Sequence, residues 1–124
     1  MSVTRLTQLL SESSSWKRLL GFLMEENTHC KNRLSEILNN DFQIRLLADM
    51  ENFQTGFLQT DTMITFLRSE VAEFDKIILK PAHDQQAFSA INGQLKKIRH
   101  DISVAEINSN RQQTDFHGYL TDNL

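Results

Sequence analysis

The feature that most constrains the fold of this chain is a long repeat of apolar residues spaced alternately by three and four positions. This spacing places the apolar side chains on one face of an α-helix and is typical of helices that pack lengthwise. Three segments follow the repeat, which predicts an all-α fold with three long, coiled-coil-like helices. Its positions are Trp16, Leu20, Leu23, Asn27, Cys30, Leu34 and Ile37 in the first segment; Leu46, Met50, Phe53, Phe57, Thr60, Ile64, Leu67, Val71, Phe74 and Ile78 in the second; and Phe88, Ile91, Leu95, Ile98, Ile102, Ala105, Ser109, Gln112, Phe116 and Tyr119 in the third.

Two interruptions of the repeat separate the helices. After residues 39–41 the repeat resumes out of phase, so a turn is required there, and Asp41 would cap the second helix. Pro81 cannot donate a helical hydrogen bond, and Asp84 would cap the third helix. Because the repeat stays in phase across Pro81, a single kinked helix is an alternative. Short turns between long helices predict an antiparallel up-down-up three-helix bundle with helices at about 14–38, 42–80 and 84–120.

The start of the first helix is ambiguous in the sequence. The serine-rich residues 11–15 are typical of a helix cap, whereas the apolar spacing continues back to about Thr4. Lys17 and Arg18 would be unfavourable in a first turn, beside the positive end of the helix dipole, which favours the earlier start. Residues 1–12 therefore form an N-terminal segment that either extends the first helix or folds back, and residues 13–124 form the bundle.

Composition excludes several classes of protein. Thirteen basic and sixteen acidic residues give a net charge of −3, which disfavours a dedicated nucleic-acid or anionic-membrane binder. A single cysteine, Cys30, excludes an internal disulfide and is typical of a reducing compartment. No apolar run approaches the roughly 18 residues of a membrane span. We therefore expect a cytoplasmic protein with no membrane span and no nucleic-acid partner.

The sequence contains no set of residues typical of a catalytic or metal site. Glu26 and His29 have the spacing of di-iron bundles, but such sites need two copies of the motif, and His29 falls on the outer face of its helix. His100 also falls on an outer face, as in histidine phosphotransfer domains, but the residues that follow it depart from their motif. We therefore expect no enzyme activity, no metal and no cofactor.

Polar side chains interrupt the apolar repeat at one level of the predicted bundle, opposite two phenylalanines. One interpretation is that the rings fill the space beside small side chains, and that buried polar groups fix the alignment of the helices. The other is a small-ligand pocket or partner groove lined by Asn27 and Gln112. We name this set the mixed layer, and it consists of Asn27, Cys30, Phe53, Phe57, Ser109 and Gln112.

Some apolar residues lie outside the repeat, on the first two helices. We expect them to line the groove between these helices as a contiguous apolar surface, which is typical of a contact with another protein. The expected partner is a second copy of the chain or another helical protein. Residues 3–10 could instead cover this surface, and lipid binding is a further alternative that the net charge disfavours. We name this set the predicted stripe, and it consists of Leu19, Phe22, Met63 and Phe66.

Several stretches of the chain carry a family resemblance, namely Trp16, 25–27, Lys31, 33–36, 53–54, 57–58 and 97–101. In these stretches the chain resembles small bacterial helical-bundle proteins to which no activity is assigned. The architecture is also similar to spectrin-type repeats and to the regulatory three-helix bundles of syntaxins. The resemblance implies a helical bundle without a specific activity. We therefore expect a non-enzymatic interaction or scaffold bundle that self-associates, and the alternative is a ligand-binding or catalytic bundle that uses the mixed layer.

Overall fold

The computed structural model describes residues 1–40 and 43–124, and within them it contains three long α-helices and no strand. These are α1 (Val3–Asn40), α2 (Leu47–Ile78) and α3 (Gln85–Asn123), and a short 3-10 turn at Ile44–Leu46 precedes α2. Each helix contacts both others. Contacts such as Ser13 with Asp75 join the start of α1 to the end of α2, so these helices are antiparallel. The predicted all-α three-helix bundle is confirmed.

The first helix begins at Val3 rather than near residue 14. Residues 3–12 therefore extend α1 and do not fold back over another surface. Leu9 is 1% exposed and belongs to the core, and the buried Ser13 hydroxyl donates a hydrogen bond of 2.5 Å to Asp75 of α2. The serine-rich segment is thus internal to α1 and does not cap it. Its inward-facing member, Ser13, has a hydrogen-bond partner on another helix.

The connection between α2 and α3 is a true break in the helix. α2 ends at Ile78, and Pro81 lies in the connecting segment, so the two segments do not form one kinked helix. Asp84 has an extended backbone, and its carboxylate accepts a hydrogen bond of 2.8 Å from the Ala87 amide, so it is the N-cap of α3.

The second helix starts later than the sequence suggested, at Leu47 rather than at 42. The residues before it form the 3-10 turn, which buries Leu46 to 2% exposure, so the repeat begins one residue before the α-helix itself. Asp41, the expected cap, lies outside the described residues.

Two apolar clusters form the core, one at each end of the bundle. In the larger cluster, Trp16 packs edge-on against Phe74 with ring centroids 5.6 Å apart. The smaller cluster is centred on Phe57 and Phe116, whose centroids are 5.1 Å apart. Buried polar side chains lie between the two clusters. The polar positions that interrupt the apolar repeat in the sequence therefore lie where one cluster ends and the other begins. The boundary residues include Asn27, Thr60 and Ser109.

The helix surfaces away from the core are mostly exposed and polar. Within residues 1–40 and 43–124, none of the helices combines the length and the apolar content needed to cross a membrane.

Candidate functional site

The first half of the mixed layer joins α1 to α2 through buried hydrogen bonds. The Asn27 amide donates to the Phe57 carbonyl at 2.8 Å and to the Asp61 carboxylate at 2.6 Å. Lys31 forms an ion pair of 2.5 Å with the other oxygen of Asp61. Because the Asn27 amide nitrogen has two acceptors, its burial is compensated, and the pairing joins the two helices at this level. Cys30 lies beside it, 3% exposed, and burial followed by the nearby Glu26 carboxylate raises the pKa of its thiol.

The second half of the mixed layer joins α2 to α3. The Gln112 carbonyl oxygen accepts a hydrogen bond of 2.8 Å from the Thr60 hydroxyl. To reach Thr60, the Gln112 side chain passes over Gly56, where a Cβ atom would overlap the Gln112 amide nitrogen. The missing side chain of Gly56 therefore makes room for this contact. Thr60, which the sequence places in the repeat but not among the candidate residues, is a member of this hydrogen-bonded group.

The remaining members of the mixed layer fill space. Phe53 packs against Phe57 and Phe116, with centroid distances of 6.4 and 5.1 Å. Ser109 is 2% exposed, and its hydroxyl has no hydrogen-bond partner among the described residues. The structure thus brings the six residues to one region but joins only Asn27 and Phe57 of them directly by a hydrogen bond. This arrangement fits the interpretation in which the layer fixes helix alignment.

Ion pairs bridge two of the three grooves between the helices. Lys17 with Asp75 and Lys31 with Asp61 bridge α1 and α2. Arg99 binds both carboxylate oxygens of Glu12 and so bridges α1 and α3, and these hydrogen bonds raise the pKa of the Arg99 guanidinium. The groove between α2 and α3 differs, because uncharged and aromatic side chains line most of it.

The open groove consists of three adjoining cavities. A cavity of about 250 Å³ lies over Gly56 and shares Gln112 with one neighbour and Met63 with the other. We name the larger end, of about 580 Å³, the Tyr119 cavity; it is lined by Asp49, Asn52, Phe53, Asn108, Arg111, Gln112, Asp115 and Tyr119. We name the other end, of about 250 Å³, the Phe66 surface; it is lined by Met63, Phe66, Leu67, His100, Asp101 and Val104.

The predicted stripe does not lie in one groove. Met63 and Phe66 line the groove between α2 and α3, not the expected groove between α1 and α2. Leu19 is half-buried against the larger core cluster, and Phe22 is exposed on α1. The periodic spacing shows that a residue flanks the core but not which neighbouring helix it faces, because that depends on the handedness of the bundle. Phe22 and Phe66 are exposed as expected, whereas Leu19 and Met63 are half-buried, and the four residues do not line one groove.

The Tyr119 cavity is lined by charged, hydrogen-bonding and aromatic side chains. The Tyr119 hydroxyl donates a hydrogen bond of 2.9 Å to Asp49, joining α3 to α2. Desolvation, and next this hydrogen bond, raise the pKa of the Tyr119 phenol. Arg111 and Asp115 lie one turn apart on α3. No motif marks these residues in the sequence, and Tyr119 was indicated only as a member of the apolar repeat.

The candidate metal and phosphotransfer residues remain apart. His29 and His100 are exposed on different helices, and Glu26 is half-buried beside Cys30. Across the described ranges 1–40 and 43–124, no three histidine, cysteine, aspartate or glutamate side chains come together in a group that could hold a metal ion.

Comparisons with known proteins give no relative from which an activity could be transferred. No family model, no curated protein and no solved structure matches this chain. We therefore infer the function of this protein from its own surfaces, chiefly from the groove between α2 and α3, which holds the three adjoining cavities.

Proposed function

We propose that this protein is a non-enzymatic helical interaction protein that self-associates through the Phe66 surface. The observation that carries the proposal is the exposure of a large aromatic residue at an open groove. Phe66 is 52% exposed and lines the groove between α2 and α3. Val104 opposite it is 37% exposed, and Met63 is half-buried beside it. A partner would cover the apolar surface of this cluster and remove it from water, and such burial is the main favourable term in association.

A second copy of the same chain is the occupant that the polar side chains of this surface favour. In a dimer with two-fold symmetry, the same surface of each copy meets the other. The Phe66 surface carries an imidazole and a carboxylate on adjacent residues, His100 and Asp101. A two-fold contact centred on Phe66 would allow an imidazole N–H of one copy to donate a hydrogen bond to the carboxylate of the other. The surface is thus complementary to itself in hydrogen bonding as well as in apolar character.

We further propose a role for the mixed layer and a cellular compartment for the protein. The mixed layer would serve to align the helices, since its amide groups bond to other helices of the bundle. We also propose a reducing compartment such as the cytoplasm, which is supported by the buried free thiol of Cys30.

A pair of matched substitutions tests the proposed surface. Phe66→Asp places a charge at the centre of the Phe66 surface, whereas Phe22→Asp makes the same change on α1 at a site of nearly equal exposure, 54% against 52%. Sedimentation velocity at several concentrations would measure assembly, and circular dichroism would confirm that both variants remain helical. We expect Phe66→Asp to abolish self-association and Phe22→Asp to leave it unchanged. Equal effects of the two substitutions, or no effect of Phe66→Asp, would contradict the proposed surface.

A further inference from the structure

We infer that the Tyr119 cavity is a binding site for a small organic cation with a flat or apolar body. The cavity lies at the opposite end of the groove from the Phe66 surface, and the inference does not rest on self-association. On α2, Asp49 and Phe66 are seventeen positions apart (66 − 49), a separation of about 25 Å along a helix.

The size of the cavity and the fixed positions of its rings suit a small molecule. Its volume of about 580 Å³ lies within the range of about 300–1,000 Å³ that is usual for small-molecule sites. The Phe53 ring is held by Phe116 and Tyr119, at centroid distances of 5.1 and 5.3 Å. Tyr119 is held in turn by its hydrogen bond to Asp49. The aromatic part of the wall is therefore in place before a ligand arrives.

The charges around the cavity favour a cation. Two carboxylates, of Asp49 and Asp115, line it against one guanidinium, of Arg111. Because Arg111 and Asp115 are one turn apart on α3, their charges partly offset each other, and Asp49 gives the lining side chains a net charge of −1. The guanidinium of Arg45 acts on Tyr119 from outside the lining. Aromatic rings attract cations through their negative faces, so Phe53 and Tyr119 favour the same class of ligand.

The amide side chains in the wall suit the hydrogen bonds of such a ligand. Asn52 of α2 and Asn108 of α3 both line the cavity. Their carbonyl oxygens can accept hydrogen bonds from the N–H groups of an ammonium, amidinium or guanidinium ion. An aromatic anion would have Arg111 as its one cationic partner in the cavity wall, and it would face two carboxylates.

Three probes of nearly identical shape separate these chemistries. Benzamidine is cationic, benzamide is its neutral counterpart and benzoate is the anion. Each would be titrated into the ¹⁵N-labelled full chain, with the side-chain amide signals of Asn52, Asn108 and Gln112 as reporters. We expect benzamidine to shift these signals with saturation, at an affinity up to about fivefold higher than that of benzamide, the largest ratio that one exposed charge contact usually supplies. Benzoate should leave the signals unchanged.

Variants connect binding to the cavity. Asp115→Asn should weaken benzamidine binding by up to about fivefold. The matched control, Asp101→Asn, removes a carboxylate of the same helix from the Phe66 surface and should leave binding unchanged. Phe66→Asp should also leave it unchanged, which separates failure of this inference from failure of self-association. Equal binding of benzamidine and benzamide, tighter binding of benzoate, or an absence of shifts at the three amides would overturn the inference.

Discussion

Gln112 of α3 lies directly across Gly56 of α2, and this crossing allows its carboxamide to bond to Thr60. A glycine inside a helix costs about 1 kcal/mol relative to alanine. A side chain–side chain hydrogen bond contributes about 1 kcal/mol to stability, and more is lost if its removal leaves a buried group unpaired. The two contributions are similar in size, so Gly56 and Gln112 are best understood as one unit.

Substitution of Gly56 by alanine should therefore have an effect that depends on Gln112. In the natural chain, the new Cβ displaces the Gln112 amide, so the loss of the bond to Thr60 offsets the gain in helix propensity, and we expect a change near zero. In a Gln112→Ala background the same substitution should raise the free energy of unfolding by about 1 kcal/mol. Urea denaturation of the four chains measures this coupling.

Gly93 supplies the control for the Gly56 experiment. It is exposed on α3, and a Cβ atom added there meets nothing within 4 Å. Gly93→Ala should stabilise the protein by about 1 kcal/mol with or without Gln112. A gain from Gly56→Ala in the natural chain as large as the gain from Gly93→Ala would contradict the proposed coupling.

Two buried serines should respond in opposite directions to substitution by alanine. Ser13 donates a hydrogen bond to Asp75, whereas the Ser109 hydroxyl has no partner within the described part of the chain. Removal of an unpaired buried hydroxyl relieves its desolvation cost, so Ser109→Ala should raise the free energy of unfolding by about 1 kcal/mol. Ser13→Ala should lower it by about 2 kcal/mol, because a bond to a carboxylate is lost.

Chemical denaturation of the two serine variants beside the natural chain gives both values under one condition. The residues have nearly equal exposure, 1% for Ser13 and 2% for Ser109, so burial alone predicts the same sign for both. Destabilisation by both substitutions would show that the Ser109 hydroxyl has a bonding partner in solution.

Cys30 should be nearly unreactive in the folded protein and should affect stability at alkaline pH. Burial raises the pKa of its thiol, so the folded state keeps its proton more tightly than the unfolded chain. The stabilisation from this difference is complete below the unfolded-state pKa and is lost as the pH rises through the folded-state value. Modification with a chromogenic disulfide reagent at pH 8 should be slow for the native protein and rapid in urea. Equal rates in the two conditions would place the thiol at the surface.

The sequence predicts the helices well because their apolar repeat is also the pattern of burial. Positions such as Leu20, Phe57 and Ile98 lie in the repeat and are at most 1% exposed. The N-cap Asp84 was also predictable, since a cap depends on a few neighbouring residues. These features depend on contacts that are periodic or local along the chain.

The candidate surfaces were less predictable because they depend on how the helices are arranged around the core. The spacing of Met63 and Phe66 does not show which of two neighbouring helices they face. The placement of Asp49 opposite Tyr119 likewise requires the relative alignment of α2 and α3. The hydrogen bond of Ser13 could likewise not be predicted from the sequence, since its partner Asp75 is on another helix.

The solution mass of the natural chain, measured by light scattering after size exclusion at a series of concentrations, tests self-association most directly. The chain has a mass of 14.4 kDa. We expect the measured mass to rise with concentration towards twice this value, as a two-fold contact through the Phe66 surface requires. A mass equal to that of one chain at every concentration would contradict the proposed function.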